Sequence, residues 1–206
     1  MITDRDRQIV GTLLKKVRLV SLGQVAMTWW GGRTTPAARR LRRLEAGGWI
    51  IGERLLARPL LALDAPLFVW APGEPPPDCG HLSYRAQARW HVPAEPTLVW
   101  YAAPTAAARL GGHARGAVKN HCQVTHDLHV CELYLKLLRS GDPRAAAWVG
   151  EDVLTPGLLG PGVPDAVLMR RGKPVRVVEF GGAYPPDRFE KFHEYCALAQ
   201  ITYEIW

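Results

Sequence analysis

Residues 34–51 read TTPAARRLRRLEAGGWII, a segment in which a helix start, a helix end and a strand start follow one another. Threonine followed by Pro36 is typical of a helix N-terminus, because threonine caps the first turn and proline is tolerated at its first position. The glycines at 47 and 48 end the helix, and the apolar residues 49–51 begin a strand. With Leu41 and Leu44 facing inward, four arginines project outward: Arg39, Arg40, Arg42 and Arg43.

Two amphipathic helices are predicted upstream of this arginine helix. Apolar residues recur at three- and four-residue intervals over residues 9–17, behind Thr3 or Asp4 as the N-cap. A second helix is predicted after Ser21 and ends at a glycine pair that forms the turn before the third. Helix, helix-turn-helix and hairpin follow the order of a winged helix. We therefore expect a winged helix-turn-helix domain over residues 1–71.

The positive charge of the chain is concentrated in this region. The formal net charge is +7, and residues 1–64 contain 12 Lys/Arg against 5 Asp/Glu, so the remainder is electrically neutral. A basic excess confined to one module is expected where that module meets a polyanion, and arginine suits both phosphates and the edge of guanine. Double-stranded DNA is therefore the predicted partner. The predicted contact residues are Arg33, Thr35, Arg39, Arg40, Arg42, Arg43, Arg54 and Arg58, the last two in the loop of the wing.

Proline dominates the next segment, residues 72–96, which contains six prolines. Such a composition predicts an extended connector, within which a short helix over residues 81–90 is expected to pack against the wing. Residues 97–206 then form a second domain. Since no stretch approaches the roughly 18 apolar residues of a membrane span and the N-terminus lacks the apolar run of a secretory signal, we expect a cytoplasmic protein with no membrane partner.

A predicted β-hairpin in the second domain brings two acidic residues together. Two apolar runs flank a turn at Gly172. Centring the hairpin there predicts three facing pairs: Asp165 with Glu179, Val167 with Val177, and Met169 with Val175. Like charges directly opposite one another destabilise a sheet. This pairing therefore indicates a divalent cation, a shared proton or a basic partner.

The hairpin resembles the PD-(D/E)xK restriction-endonuclease-like superfamily, in which acids on adjacent strands hold magnesium and a lysine two positions after the second acid assists the attacking water. Pro164-Asp165 and Glu179 match that pattern, whereas the lysine position is Gly181. If the domain is active, the resemblance implies Mg²⁺ as its cofactor. The implied metal ligands are Asp165, Glu179 and Glu151, with Glu132 as an alternative to Glu151. The implied catalytic residues are Asp165, Glu179 and Lys191, the last taken from the following helix.

Over most of its length the chain resembles the replication-relaxation family, whose members are associated with plasmids and other mobile elements. Besides the winged helix, the matching positions are His126-Asp127-Leu128, Trp148 with Glu151, Pro164-Asp165-Ala166, Glu179, Lys191 and Tyr195. The resemblance implies an α+β fold in which the winged helix-turn-helix precedes a small restriction-endonuclease-like α/β domain. In that family the position two after the glutamate is commonly acidic. Gly181 departs from both patterns, so we expect the second domain to be catalytically degenerate.

The sequence thus predicts a DNA-binding protein of a mobile element that acts in replication or transcription control, is not an enzyme and has no assigned cofactor. One alternative is an Mg²⁺-dependent DNA endonuclease. A second is an adaptor that docks a protein partner on DNA through its C-terminal domain. A homodimer is compatible with each of these functions.

Overall fold

The computed structural model describes residues 2–116, 120–154 and 163–206, with the backbone alone of His121. These residues form a mixed α+β fold, as predicted. The α-helices are α1 (Asp4–Lys15), α2 (Leu22–Trp30), α3 (Thr34–Ala46), α4 (Cys79–Gln87), α5 (Pro104–Leu110), α6 (His121–Arg139), α7 (Arg144–Ala147) and α8 (Pro186–Leu198). The strands are β1 (Leu19–Ser21), β2 (Ile50–Ala57), β3 (Phe68–Trp70), β4 (Glu95–Ala102), β5 (Trp148–Gly150), β6 (Ala166–Arg170), β7 (Lys173–Glu179) and β8 (Thr202–Ile205). Among the described helices, none combines the length and hydropathy needed to cross a bilayer.

The chain forms two compact units that are interleaved along the sequence. The first unit comprises Met1–Leu60 and Ala94–Ala145, and the second comprises Leu61–Pro93 and Ala146–Trp206. These boundaries differ from the predicted division into residues 1–71, 72–96 and 97–206. The physical reason is that strand pairing and apolar burial join segments that are distant in sequence. In particular, β4 completes the first sheet, and α4 completes the core of the second unit.

The first unit contains a three-stranded antiparallel sheet in the order β1-β4-β2. The central strand β4 pairs with β1 through Val20 and Trp100 and with β2 over eight residue pairs, from Ile50 to Ala57. The predicted boundaries assigned most of this strand to the second domain. Arg54 lies opposite Leu98 within this pairing, so its predicted place in a wing loop is wrong.

Helices α1, α2 and α3 form most of the remaining core of this unit. The predicted apolar faces are buried, at 4% exposure or less for Ile9, Val10, Leu13 and Leu14 of α1 and for Leu41 and Leu44 of α3. Thr3 is the N-cap of α1 and forms a capping box with Asp6. The N-cap of α3 is Arg33, so Thr35 lies inside the first turn instead of capping the helix.

Helix α6 packs on the first sheet. It begins behind Asn120, whose side chain accepts a hydrogen bond from the Cys122 N–H. Its Val124 and Leu128 are buried in a cluster with residues from all three strands. Gln24 of α2 also donates hydrogen bonds to the Leu128 carbonyl oxygen at 2.8 Å and to Oε2 of Glu132 at 3.1 Å. These contacts make α6 part of the first unit, whereas the predicted boundaries placed it within the second domain.

The second unit contains a five-stranded sheet in the order β3-β8-β7-β6-β5. Strands β7 and β8 are parallel and are connected through α8, whereas the other neighbouring strands are antiparallel. The core includes Trp70, Val177, Phe189, Tyr203 and Ile205, each 3% exposed or less. The sheet thus places the end of β7, with Glu179, near the middle of the unit.

Residues 72–96 are not the extended spacer that their prolines predicted. Helix α4 begins behind Asp78, whose carboxylate accepts a hydrogen bond from the His81 N–H at 2.9 Å. Leu82 and Ala86 on this helix are buried in the core of the second unit. Three prolines precede α4 and limit where it can begin, because proline interrupts helical hydrogen bonding: Pro75, Pro76 and Pro77. Residues 72–93 are therefore a structural part of the second unit, whereas residues 94–96 belong to the first.

The predicted hairpin is formed by β6 and β7, and its register agrees with the prediction only in part. Val167 lies opposite Val177, as predicted. Arg171 and Gly172 have φ angles of 52° and 76°, as expected for a two-residue turn of type I′. This turn pairs Met169 with Pro174 instead of Val175, so that part of the prediction is wrong. A register shift between Leu168 and Met169 absorbs the difference.

Candidate functional site

Helix α3 presents an arginine face to solvent. Arg39, Arg42 and Arg43 are exposed and follow the three- and four-residue spacing that puts side chains on one side of a helix. Among the residues that the structure describes, these three guanidinium groups have no hydrogen-bond or ion-pair partner. Thr35 is exposed one turn earlier on the same side. These four residues are placed where a ligand of the helix would meet them.

Arg40 has a different environment from its neighbours. Its Nε donates a hydrogen bond to Oδ1 of Asp6 at 2.7 Å, and its Nη2 bonds to Oδ2 of the same carboxylate. Asp6 is fully buried. Burial opposes ionisation of Asp6, but hydrogen bonds from Arg40 and Thr3 and the Arg40 charge outweigh it, so the pKa of Asp6 lies below its ordinary value. We therefore correct the prediction for Arg40, which holds α3 against α1.

Arg54 extends the exposed basic surface from α3 to the first sheet. A Cβ added to Gly52 would lie 2.9 Å from Oε1 of Glu45, so the side chain of residue 52 points toward α3. Because side chains alternate along a strand, Arg54 points to the same face of β2. It is exposed there. This arginine therefore lies on the side of the sheet that meets α3.

The other two predicted arginines make local contacts. Arg33 is exposed, and its Nε donates to the carbonyl oxygen of Trp30 at 3.2 Å, which fixes it at the turn between α2 and α3. Arg58 is half-buried, and its backbone N–H donates to Oγ1 of Thr125 at 3.0 Å. Arg58 thus lies where the end of β2 contacts α6, whereas Arg33 lies beside the arginine face.

The net charges of the two structural units differ more than the net charges of residues 1–64 and residues 65–206. The first unit contains 18 Lys/Arg and 8 Asp/Glu, a net charge of +10. The second contains 8 Lys/Arg and 11 Asp/Glu, a net charge of −3. Several additional basic residues enter the first unit with α5 and α6. The unit that carries the arginine face is therefore also the one that attracts polyanions.

A cleft of about 540 Å³ opens between the start of α1 and α3. Arg5, Arg39 and Arg43 line it, and the Arg5 guanidinium lies 4.8 Å from the centre of the Trp30 ring. Sequence reasoning missed Arg5 and Trp30 as parts of a basic site, and periodicity has no signal for this pairing. The capping-box spacing of Thr3 and Asp6 could have identified Asp6 as a structural acid.

In the second unit, Asp165 and Glu179 are adjacent, as the hairpin predicted, and both are buried. The Phe180 N–H donates to Oδ2 of Asp165 at 2.6 Å, and the Asp165 N–H donates to Oε2 of Glu179 at 3.3 Å. The Tyr184 hydroxyl also bonds to Glu179, and burial, followed by the charges of Glu179 and Asp165, raises the pKa of Tyr184. Hydrogen bonds from the protein therefore stabilise both carboxylates.

The structure does not group all of the implied metal ligands in the part of the chain that it describes. Glu151 contributes a backbone N–H, which donates to the Asp165 carbonyl oxygen at 2.9 Å. Glu132 lies on α6 in the first unit, where its Oε1 accepts a hydrogen bond from Arg139 at 2.5 Å. Over residues 2–116, 120–154 and 163–206, no three or more His, Cys, Asp and Glu side chains are grouped to hold a metal ion. The set Asp165, Glu179 and Glu151 is therefore not supported.

In the part of the chain that the structure describes, the implied catalytic lysine bonds to an acid on its own helix. Lys191 and Glu179 line the same cavity of about 310 Å³, but Nζ of Lys191 bonds to Asp187 at 3.2 Å on the exposed side of α8. At Gly181, a Cβ would lie 3.0 Å from Ile205 and 3.2 Å from Phe189. Core side chains therefore occupy the space that a lysine at this position would need.

Comparison with protein-family models, curated proteins and solved structures yields no significant match. The case for a function therefore depends on local chemistry. Of the two sites that the sequence indicated, the arginine face has exposed and unpartnered functional groups. The carboxylate pair is bonded within the second unit.

Proposed function

We propose that this protein binds double-stranded DNA through its first unit, with α2 and α3 as a helix-turn-helix and α3 in the major groove. The observation that carries the proposal is the exposed face of Arg39, Arg42 and Arg43 on a unit of net charge +10. Phosphates supply most non-specific affinity for such a surface, and arginine can read guanine through paired hydrogen bonds.

The topology of the first unit supports this proposal. Its elements follow the order α1-β1-α2-α3-β2-β4, and β4 pairs between β1 and β2. This order supports our proposal of a winged helix, in which β2 and β4 would be the two arms of the wing. Here the tip of the wing is replaced by residues 58–94, most of which belong to the second unit. Arg54 on the α3 side of β2 would contact the DNA backbone beside the groove.

The cellular role that we propose is control of replication or transcription on a plasmid or another mobile element, without catalysis. Its motivation is the resemblance to the replication-relaxation family at His126-Asp127, Pro164-Asp165 and Glu179. The acidic second unit would then bind a protein partner. We place the endonuclease second, because the described residues group no third carboxylate with Asp165 and Glu179, and Lys191 bonds to Asp187.

The experiment is a titration of fluorescently labelled duplex, followed by anisotropy at fixed salt. Replacing Arg39, Arg42 and Arg43 by alanine should weaken binding by about 100-fold or more, since each paired contact to a base contributes about 1–3 kcal/mol. The control removes the same charge from the exposed turn of the second unit: Arg170→Ala, Arg171→Gly and Lys173→Ala. Wild-type protein that binds no duplex, or equal losses in the two triple variants, would overturn the proposal.

A further inference from the structure

The cleft between α1 and α3 combines three arginines whose charges are not balanced locally. Two acids also line it, Asp4 and Asp6. Asp6 is paired with Arg40, and Asp4 is paired with Arg7 at 3.1 Å on the exposed surface of α1. This leaves the positive charges of Arg5, Arg39 and Arg43 to face the cleft.

Arg5 is held in position before any ligand arrives. Its guanidinium lies over the ring of Trp30, which is 8% exposed and anchored in the core of the first unit. A cation over an aromatic face is stabilised by about 0.5–1 kcal/mol at an exposed site. Among the residues that the structure describes, no acceptor engages the Arg5 guanidinium, so its N–H donors remain for a ligand. Ordering Arg5 in advance reduces the entropy lost on binding.

We propose that this cleft binds a backbone phosphate of the DNA duplex, on the α1 side of α3. The inference rests on the proposed function. Arg39 belongs both to the cleft and to the exposed face of α3, so an anion in the cleft would lie directly beside the helix. Phosphates border the major groove in which α3 would lie, and contacts to them fix the register of the protein on the duplex.

Arg5 and Arg43 are therefore positioning residues, whereas Arg42, which does not line the cleft, is left for the base edges. This division predicts two different mutational signatures. Loss of Arg5 should weaken binding to all duplex sequences by a similar factor and lower the salt dependence. Loss of Arg42 should reduce discrimination between sequences.

The test measures the duplex dissociation constant between 50 and 300 mM KCl for the whole protein. Neutralising one phosphate contact changes the slope of log K against log [KCl] by about 0.9. Arg5→Ala should show that loss, and Arg5→Lys should restore most of it. Lys15→Ala removes the same charge from an exposed site about 15 Å along α1 and should leave the slope nearly unchanged.

The outcomes separate this inference from the proposed function. If the wild-type protein binds no duplex, the proposed function fails. If it binds, and Arg5→Ala has the same slope as Lys15→Ala, the phosphate cleft alone is overturned. A separate thermal-shift measurement with pyrophosphate tests whether the cleft binds a free phosphate compound instead of DNA. A shift that Arg5→Ala abolishes, together with an unchanged DNA slope, would assign the cleft to a free phosphate ligand and also overturn the DNA contact.

Discussion

At the scale of single residues, Arg40 differs from the other arginines of α3 because its guanidinium is bonded to buried Asp6. The three-residue spacing of Leu41 and Leu44 correctly predicted that both side chains face inward. It could not distinguish Arg40 from Arg39, because the partner acid lies 34 residues earlier and its burial depends on how α1 packs. Local periodicity identifies the buried face of a helix, but it does not show which of the other side chains on the helix pair with distant residues.

Removing either member of this pair should destabilise the first unit. Arg40→Ala leaves a buried carboxylate without its partner, and loss of a buried pair lowers the free energy of unfolding by about 3 kcal/mol. We expect a reduction in the same direction for Asp6→Asn at pH 7, measured by urea denaturation. Asp4→Asn at the exposed pair with Arg7 is the control and should change little. Equal stability of Asp6→Asn and Asp4→Asn would contradict this role.

The same pair predicts a pH dependence. The pKa of Asp6 is lower in the folded protein than its ordinary value of about 3.9. Its contribution to the free energy of unfolding is therefore complete above the unfolded-state value and is lost as pH falls through the lower, folded-state value. The stability difference between wild type and Asp6→Asn should accordingly narrow below about pH 4. A constant difference from pH 7 to pH 3 would argue against an ionised Asp6.

At the scale of elements, the β6–β7 hairpin was predictable because apolar runs flank a Gly172 turn and Val167 pairs with Val177. The adjacency of Asp165 and Glu179 followed from this register. Its bulge did not, since the positive φ angles of the turn impose a pairing that a simple symmetric count ignores. No sequence motif predicted the backbone N–H groups that donate hydrogen bonds to the two acids. The sequence therefore offered a metal as a partner for the two carboxylates and gave no sign of the backbone groups that bond them.

Substitutions at Gly181 test whether core side chains exclude a larger residue from this position. Gly181→Ala should lower the free energy of unfolding by about 1–3 kcal/mol, because its Cβ would press on Ile205 and Phe189. Gly181→Lys should be worse and should not produce Mg²⁺-dependent nicking of supercoiled plasmid. Thermal unfolding measures these variants. The control is Gly80→Ala in α4, where an added Cβ makes only ordinary van der Waals contacts, and it should be neutral or stabilising. Unchanged unfolding of Gly181→Ala would refute the packing argument.

At the scale of the whole molecule, the mixed α+β class was predictable and the chain path was not. Prolines around residues 72–96 suggested a linker because their composition disfavours regular structure. The choice of β4 as the partner of β2 is non-local, and α6 joins the first unit through contacts with α2 and the sheet. Burial of these segments, and not composition, determines the division into units.

The interleaved path makes a direct prediction about fragments. Residues 1–71 should remain largely unfolded, because they lack the central strand β4 and leave β1 and β2 unpaired. Residues 1–60 joined to residues 94–145 through a short Gly/Ser turn should fold and bind duplex, since Ala57 and Glu95 are already cross-strand neighbours. Circular dichroism and the anisotropy titration would compare the two. A folded 1–71 fragment with full affinity would contradict the importance of β4.

The same interruption has a consequence during protein synthesis. Thirty-seven residues separate Ala57 from Glu95, so a ribosome adding about 5–20 residues per second needs about 2–7 seconds to pass from the end of β2 to the start of β4. Throughout that interval the nascent chain carries strand edges without their partner, which is the state in which strands pair with other molecules. The rate of translation through residues 58–94 therefore determines how long β1 and β2 remain without their central partner strand.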